Sequence, residues 1–551
     1  MQLPQSVIYV SPGGSDQNEG TQGSPLRSFQ AAADKAALEN IDTVFFLPGH
    51  YIFTQTAVLD TSHNGIAFIG QEGVVFSSLV PVTEWTPCNE CAQSQVWKAP
   101  LPAGLEQVRF VRSDHQMWMP RAASPPFSTI EIAGGDDNGC IECNAYTPET
   151  QGDMSNIQYP LSFSVPSETP AHWLDLRANT LPWHLDLIPV DFVSQSDRRI
   201  FTQIPALYDL RRDANEAPPT AWLVNSLDHL DDAFEWVSFD GTLYVSSNVS
   251  PDTVYIPMLT ELIRIDNGQS MPYGLVDNPV KDLLFDNITF SGADYRMLQS
   301  DDVTSQHDWA VIDQPDALVR IRNAASCTIR NCTFSQSGGT GLRFDRSNTD
   351  HTITENVFSH LGRNGLVIAG RGAGFGNVCM GHQVSLNQFS FIGLEDWDSP
   401  AILLDHCQSS SITQNYLHDL YFTGVVLTAT RQLVFAGISE DARDFYVGRE
   451  FRFWEIAEEV IEFVFDEPDL FVASREAMQF TYNAFNTVSG NLFVNVSTGQ
   501  GMFQNGKIYV TGFPWSTNPD SLTSNTVEYN YFYDTFSPPH ADYVIYADSD
   551  M

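Results

Sequence analysis

The sequence predicts a right-handed parallel β-helix, an all-β solenoid with an N-terminal cap helix and an inserted β-rich module. Three observations carry that expectation. From about residue 280 an asparagine recurs beside short apolar strands, at Asn287, Asn331, Asn356, Asn387, Asn415, Asn491 and Asn530. The steps from 331 to 356, 356 to 387 and 387 to 415 are 25, 31 and 28 residues, the length of one three-faced coil with variable loops. A glycine-containing corner then precedes a third strand, as at Gly338-Gly339-Thr340-Gly341, Gly365 and Gly424.

Each element can be justified in turn. Tyr9-Val10 ends a strand, and Pro12-Gly13-Gly14, Gly20-Thr21 and Gly23-Ser24-Pro25 mark turns. Leu26, Phe29, Ala33 and Ala37 recur at helical spacing, which predicts one amphipathic helix capping the first coil. Strands are expected at 42–47, 51–53 and 66–70, so residues 1–84 supply the cap and first coils. Residues 85–260 break the rhythm with many prolines and tryptophans, and Asp240-Gly241 opens a turn-and-strand signal. They are expected to form an inserted, mostly antiparallel module. Residues 261–551 are expected to be the main β-helix. At about 430–478 it is interrupted by acidic residues alternating with Trp454, Ile456, Val460 and Phe463, which reads as an outer helix, a lid or a decorated loop. The longer steps, Asn287 to Asn331 and Asn415 to Asn491, leave room for extra coils or large loops. Residues 545–551 read like the middle of a coil, so further chain or a second copy is expected at that end.

Inward asparagines at a corner bond to the backbone of neighbouring coils, so their recurrence is structural. Chemistry is sought on the outward face instead. Stacking the strands after each glycine corner puts Leu342/Phe344, Leu366/Ile368, Ile402/Leu404 and Val425/Leu427 inside. The outward column is then Asp345, Ala369, Asp405 and Thr428. Two coils separate Asp345 from Asp405, about 10 Å of backbone, with a small alanine between them. Their carboxyl groups could approach the roughly 6.5–9.5 Å of an inverting glycosidase. The bland alternative is a solvated acidic face.

The preceding loops add His360, Arg363, Asp396, Trp397, Asp398 and His418 at one corner. Carboxylates and imidazoles transfer protons, and Trp397 offers an apolar plane to a sugar ring. The same plane would favour the neutral acid in Asp396 or Asp398. Asp405 and Asp396, on one coil, are the first choices for the catalytic pair, with Asp398 and Asp345 as the other candidates. His360, Arg363, Trp397, His418, Arg343 and His307 are the candidate substrate-binding residues. The chemistry needs no cofactor, although the Asp-rich corner carries oxygen ligands suited to Ca²⁺.

Cys88/Cys91 and Cys140/Cys143 are two CxxC pairs for which a structural zinc, two disulfides and neither stay open. Cys327, Cys332, Cys379 and Cys407 lie beside apolar strands and read as buried free thiols.

Acidic residues number 68 against 27 basic ones, for a formal charge of -41, and the only lysines are Lys35, Lys98, Lys281 and Lys507. That balance argues against a nucleic-acid or anionic-membrane partner, since both need cationic patches. The partner expected is a polysaccharide or oligosaccharide; the oligomeric state is open. No apolar run of 18 residues is present, so no membrane-spanning helix is expected. Such a surface suits a salty or extracellular setting, so a secreted or periplasmic protein with its leader removed is expected, with a cytoplasmic one as the alternative. Self-repulsion should weaken the fold at low ionic strength. The melting temperature should therefore rise with sodium chloride; superimposable melting curves in low and high salt would contradict this.

Several segments carry a resemblance. They are Tyr9 to Asp16 with Gly20-Thr21, Pro120-Arg121-Ala122, residues 222–227 and 236–244, Ile256-Pro257, Leu262-Ile263-Arg264-Ile265, and residues 323–334 leading to Gly338-Gly339-Thr340-Gly341. Together they run through most of the chain, and they specify architecture more than substrate. The chain resembles the large β-helix carbohydrate enzymes of glycoside hydrolase family 141. The resemblance implies α-L-fucosidase or xylanase chemistry on complex plant polysaccharides, by a pair of aspartates among Asp345, Asp396, Asp398 and Asp405. A polysaccharide lyase or uronate epimerase is one alternative, with Arg343 or Arg363 neutralising the uronate. A non-catalytic carbohydrate-binding β-helix is the other.

Overall fold

The computed structural model describes residues 7–114, 118–128, 156–181, 184–204, 220–269, 275–297, 314–370, 378–428, 485–498, 507–511, 525–534 and 545–548. Among the described residues, parallel strands stack into three sheets of ten, nine and eleven strands, the three faces of a β-helix. One coil shows the pattern. Thr352–Thr354 lies on the first face, Val357–Leu361 on the second and Leu366–Ala369 on the third. Register carries through the coils: Ile353 lies beside Val384, Phe358 beside Phe389, and Leu366 beside Ile402.

Inside, Phe290, Phe334, Phe358 and Phe389 stack one per coil, with ring centroids 5.0, 4.8 and 4.6 Å apart. That is the spacing parallel strands impose. The pairs from Leu342/Phe344 to Val425/Leu427 are all in this core, as the period-two alternation predicts. The helix spans Phe29–Glu39, with the Ser28 hydroxyl accepting from the Ala31 N–H and Asn40 ending it at φ 53°. It presses Phe29 onto Phe46, Phe68 and Phe76, so the apolar end of the first coils is covered.

The corner asparagines form a ladder. Asn387 donates from Nδ2 to the Ile353 carbonyl, while its backbone N–H is received by Asn415 Oδ1. Asn356, Asn415 and Asn491 repeat both bonds, ending on Asn530. Each amide thus satisfies buried backbone groups of neighbouring coils. Asn387→Leu should cost about 3 kcal/mol, since it orphans several such groups at once. An unchanged urea midpoint would remove the ladder from the account of stability.

Two expected members stand one residue out of the column. Asn287 and Asn331 are exposed left-handed corner residues, φ 58° and 53°, and Ile288 and Cys332 occupy the ladder position. The offset shows in the spacing to the stacked ring, three residues for Asn331 and Phe334 but two for Asn356 and Phe358. A second ladder was not anticipated. The backbone N–H groups of Cys327, His351, His382 and Ser410 are each received by the next coil's side chain, from His351, His382, Ser410 and Asn486 in turn. Burial lowers the pKa of both imidazoles, that of His382 to about 3, which keeps their Nδ1 atoms available as acceptors.

The longer steps add no coil to the stack. Leu284–Asp286 pairs directly with Thr328–Arg330, and Ser411–Thr413 directly with Thr487–Ser489. The interruption at 430–478 lies outside the described residues.

The chain divides into two compact units. One unit, Met1–Ser78, Leu259–Ala293 and Ile312–Met551, contains the β-helix; the other unit is Leu79–Met258 with Asp294–Val311. The second unit contains antiparallel sheets of three, six and four strands. It includes a returning segment beyond the expected 85–260 because Asp294 Oδ2 accepts from the Arg109 N–H at 2.9 Å and Tyr295 Oη meets Arg121 at 3.2 Å. Burial raises Asp294 to a pKa of about 6.

Cys88 and Cys91 form a disulfide, one of the readings for that pair, while Cys140 and Cys143 lie outside the described residues. Cys327 and Cys332 are buried thiols, and burial pushes both up to about 12. Cys379 and Cys407, expected as free thiols, are instead joined as a disulfide. Met380 bridges Gln408 on the adjoining coil, which brings the two sulfurs face to face.

Candidate functional site

The outward residues of the third face form two columns. Register places Arg264, Arg320, Arg343, Val367 and Leu403 in one, and Ala369, Asp405 and Thr428 in the other, with Asp345 one residue beyond the paired Phe344 and Ile368 at the head of that column. The second column is the one the sequence predicts. Alternation alone would leave it solvated, yet Asp345 is 0% exposed and Asp405 1%. The solvated acidic face is therefore not what the structure presents.

Arginines stacked at strand spacing would repel, and carboxylates interleave with them. Arg264 Nη1 lies 2.9 Å from Glu261, and Arg320 Nη1 lies 3.6 Å from its other oxygen. Arg320 Nε and Arg343 Nε donate to Asp345 at 3.0 and 2.9 Å. Arg343 Nη1 then meets Asp316 at 3.5 Å, Arg363 Nη1 meets Asp316 at 2.6 Å, and Arg363 Nε stands 3.8 Å from Asp396. Cation and anion alternate without a break from Arg264 to Asp396, and all members except Arg264 are buried. For Glu261, burial raises the pKa and its arginines oppose the rise.

The corner is shaped by backbone. The Gly362 carbonyl receives the N–H groups of Glu395 and Asp396. A Cβ at Gly362 would stand 2.0 Å from the Gly338 carbonyl, so only glycine lets the turns meet. Asp396 and Asp398 are fully buried there and Trp397 is half-buried. Thr340 Oγ1, Asn364 Oδ1, Thr423 Oγ1, Ser399 Oγ and Trp397 Nε1 are buried without a hydrogen-bond partner among the described residues. The first three precede the corner glycines or their equivalents on separate coils. Buried polar atoms left over in one place mark where water or a hydroxyl-bearing ligand binds.

The structure separates some residues grouped by the sequence. Asp405 ends the strand Ile402–Asp405, while Asp396 and Asp398 precede its start. At about 3.3 Å per residue that strand alone spans roughly 10 Å, so Asp396 and Asp405 are poorly placed as a pair about one bond. Asp345 and Asp405 keep their two-coil spacing across Ala369. His360 and His418 lie on the second face and not with the corner acids. His360 packs on Phe391, and burial lowers its pKa. His418 bonds to Asp419 and Gln388 and stacks on Tyr416, and it lowers the Asp419 pKa. His307 lies outside the described residues. Arg343 and Arg363 belong to the ion chain.

Four residues of the site escaped the sequence reading. Glu261, Asp316 and Arg320 link the chain of charges, and His406 places Nδ1 2.7 Å from Asp405 Oδ1. Asp316 could have been found by its place ahead of the third-face strand Ala317–Ala325. Among the described residues, Cys379, His382 and Cys407 also approach one another closely enough for a metal, but the two sulfurs are bonded to each other.

The family model described as "Right handed beta helix region" matches residues 274–437. No curated protein matches the chain. A solved structure described as "Glycoside hydrolase" shares the fold across 98% of this chain and 89% of its own, with a TM-score of 0.65 at 16% identity. A GH136 lacto-N-biosidase from Eubacterium ramulus is aligned over 98% of this chain and 67% of its own, with a TM-score of 0.32 at 10% identity. The chain is a right-handed parallel β-helix.

Proposed function

We propose that this chain is a glycoside hydrolase acting on a complex plant or algal polysaccharide with inversion. The observation that carries the reading is the pair Asp345 and Asp405, two coils apart in one outward column with only Ala369 between them. Inversion needs one carboxyl to protonate the leaving oxygen and another, roughly 6.5–9.5 Å away, to activate water. Guanidinium N–H donors satisfy a carboxylate, which suits Asp345 to the base's part. Asp405, beside His406, takes the acid's part. The corner of Asp396, Trp397 and Asp398, with its unpartnered hydroxyl and amide atoms, holds the sugar that flanks the cleaved bond. Proton transfer between two carboxyl groups requires no cofactor. The likeness to a glycoside hydrolase fold and the family 141 resemblance support the same class. An exported enzyme is the setting this reading suits.

A lyase or epimerase is less favoured for a specific reason. Arg343 and Arg363 are already bonded to Asp345 and Asp316, so neither stands ready to neutralise a uronate. The products decide. Incubation with plant and algal polysaccharides should release reducing ends whose first-formed anomer is inverted, as read by proton NMR. An ultraviolet-absorbing unsaturated sugar would establish a lyase instead. Tight binding with no product from any polysaccharide tested would establish a non-catalytic solenoid.

A further inference from the structure

The second unit holds a cavity that the proposed reaction does not use. Its accessible volume is about 480 Å³, and it draws on four separated places in the chain. Phe127, Phe163 and Pro160 supply rigid apolar walls, and Ser164, Thr220 and His229 supply hydrogen-bonding groups. Among the described residues nine line it, and none of these is Asp, Glu, Lys or Arg.

The walls are preorganised. Phe127 pairs with Ala221 across an antiparallel strand, so its ring is held by the sheet. Phe163 packs on Phe127 with centroids 4.3 Å apart and on Tyr159 at 5.7 Å. The His229 ring is fixed by Ser226 Oγ, 2.8 Å from its Nδ1, with Ser226 itself buried. A ligand therefore meets a formed site and loses little affinity to ordering it.

We infer that this cavity binds a neutral sugar, of mono- to disaccharide size, separately from the carboxylate column. Flat apolar walls fit the C–H faces of a pyranose ring. Hydroxyls and an imidazole exchange hydrogen bonds with its hydroxyl groups in either direction. A phosphate or a uronate would find no cation among the described lining residues, and a purely apolar ligand would leave the polar groups unpaired. The inference goes beyond the proposed reaction and does not depend on which aspartates carry it.

The test uses the full chain carrying Asp405→Asn, to prevent turnover, and the same chain with Ser164→Trp added. Ser164 is exposed, so the added indole can fill the cavity without disturbing the core. Saturation-transfer NMR and calorimetry are run with xylobiose, cellobiose, mannobiose and lactose, and with digalacturonate as the charged control, each up to about 20 mM, which covers millimolar affinity. At least one neutral disaccharide should bind, and Ser164→Trp or His229→Ala should weaken it by about 10-fold or more. Ser164→Trp alone should leave turnover of a soluble substrate unchanged. Absence of binding by all four neutral disaccharides, a preference for digalacturonate, or binding unaffected by Ser164→Trp would each overturn the inference. A wild-type chain that hydrolyses nothing yet binds a neutral disaccharide here would defeat the hydrolase reading and leave this one standing.

Discussion

Asp405→Asn should lower kcat by about 10²- to 10⁴-fold with folding retained, because it removes the proton and keeps the shape. Asp345→Asn should have an effect of the same order, through loss of the base. The two variants differ in stability. Asp345 accepts from Arg320 and Arg343 inside the protein, so its loss also leaves two guanidinium groups short of a partner. Asp405 faces His406, and its replacement should spare more of the melting temperature. A residue that serves only as a structural ion partner would show the reverse, a lower melting temperature with wild-type kcat per folded molecule. Asp405→Asn with wild-type turnover on the true substrate would remove that residue from the mechanism. If Asp345→Asn behaved likewise, the acid pair would have to come from the corner, from Asp396 and Asp398. The pair of measurements thus separates catalysis from packing.

Much of the fold was legible because its signals are local. Alternation on the third face and a glycine at one corner need only the chain's own spacing. Asn287 and Asn331 misled because a left-handed corner residue and a ladder residue are neighbours, and asparagine suits both positions. The site was half legible. The column Asp345, Ala369, Asp405 follows from strand register alone. Its burial does not, because alternation says which residues face outward and nothing of what covers them. The ion chain was hidden for a similar reason. Glu261 sits just outside the strand that carries Arg264, and Asp316 sits just ahead of Ala317–Ala325 but binds Arg343 and Arg363 of later coils. Their contacts depend on how long side chains reach between coils. The Cys379–Cys407 bond was legible in the spacing: 28 residues separate the two cysteines, the same step as Asn387 to Asn415, so both stand at one place on adjoining coils.

Asp316→Ala should be among the most destabilising single changes in the β-helix, by about 3–5 kcal/mol. Asp316 is 2% exposed and bonds Arg343 at 3.5 Å on one oxygen and Arg363 at 2.6 Å on the other. Deleting it leaves two buried guanidinium groups facing each other's charge, with their solvation already lost. Arg264→Ala is the control. That side chain ends the same chain of charges but is 35% exposed, so its pair with Glu261 is screened and its loss should cost about 1 kcal/mol or less. Asp316→Asn should fall between them, since the amide keeps one acceptor oxygen. The order Ala, then Asn, then Arg264→Ala in urea midpoints is the expected result. Activity gives a second readout, because Arg343 also holds Asp345. Loosening it should reduce kcat in the fraction of Asp316→Asn that stays folded, with a smaller change in KM. A midpoint for Asp316→Ala within about 0.5 kcal/mol of wild type would mean that water reaches both arginines, and the buried chain of charges would then not be what stabilises this face.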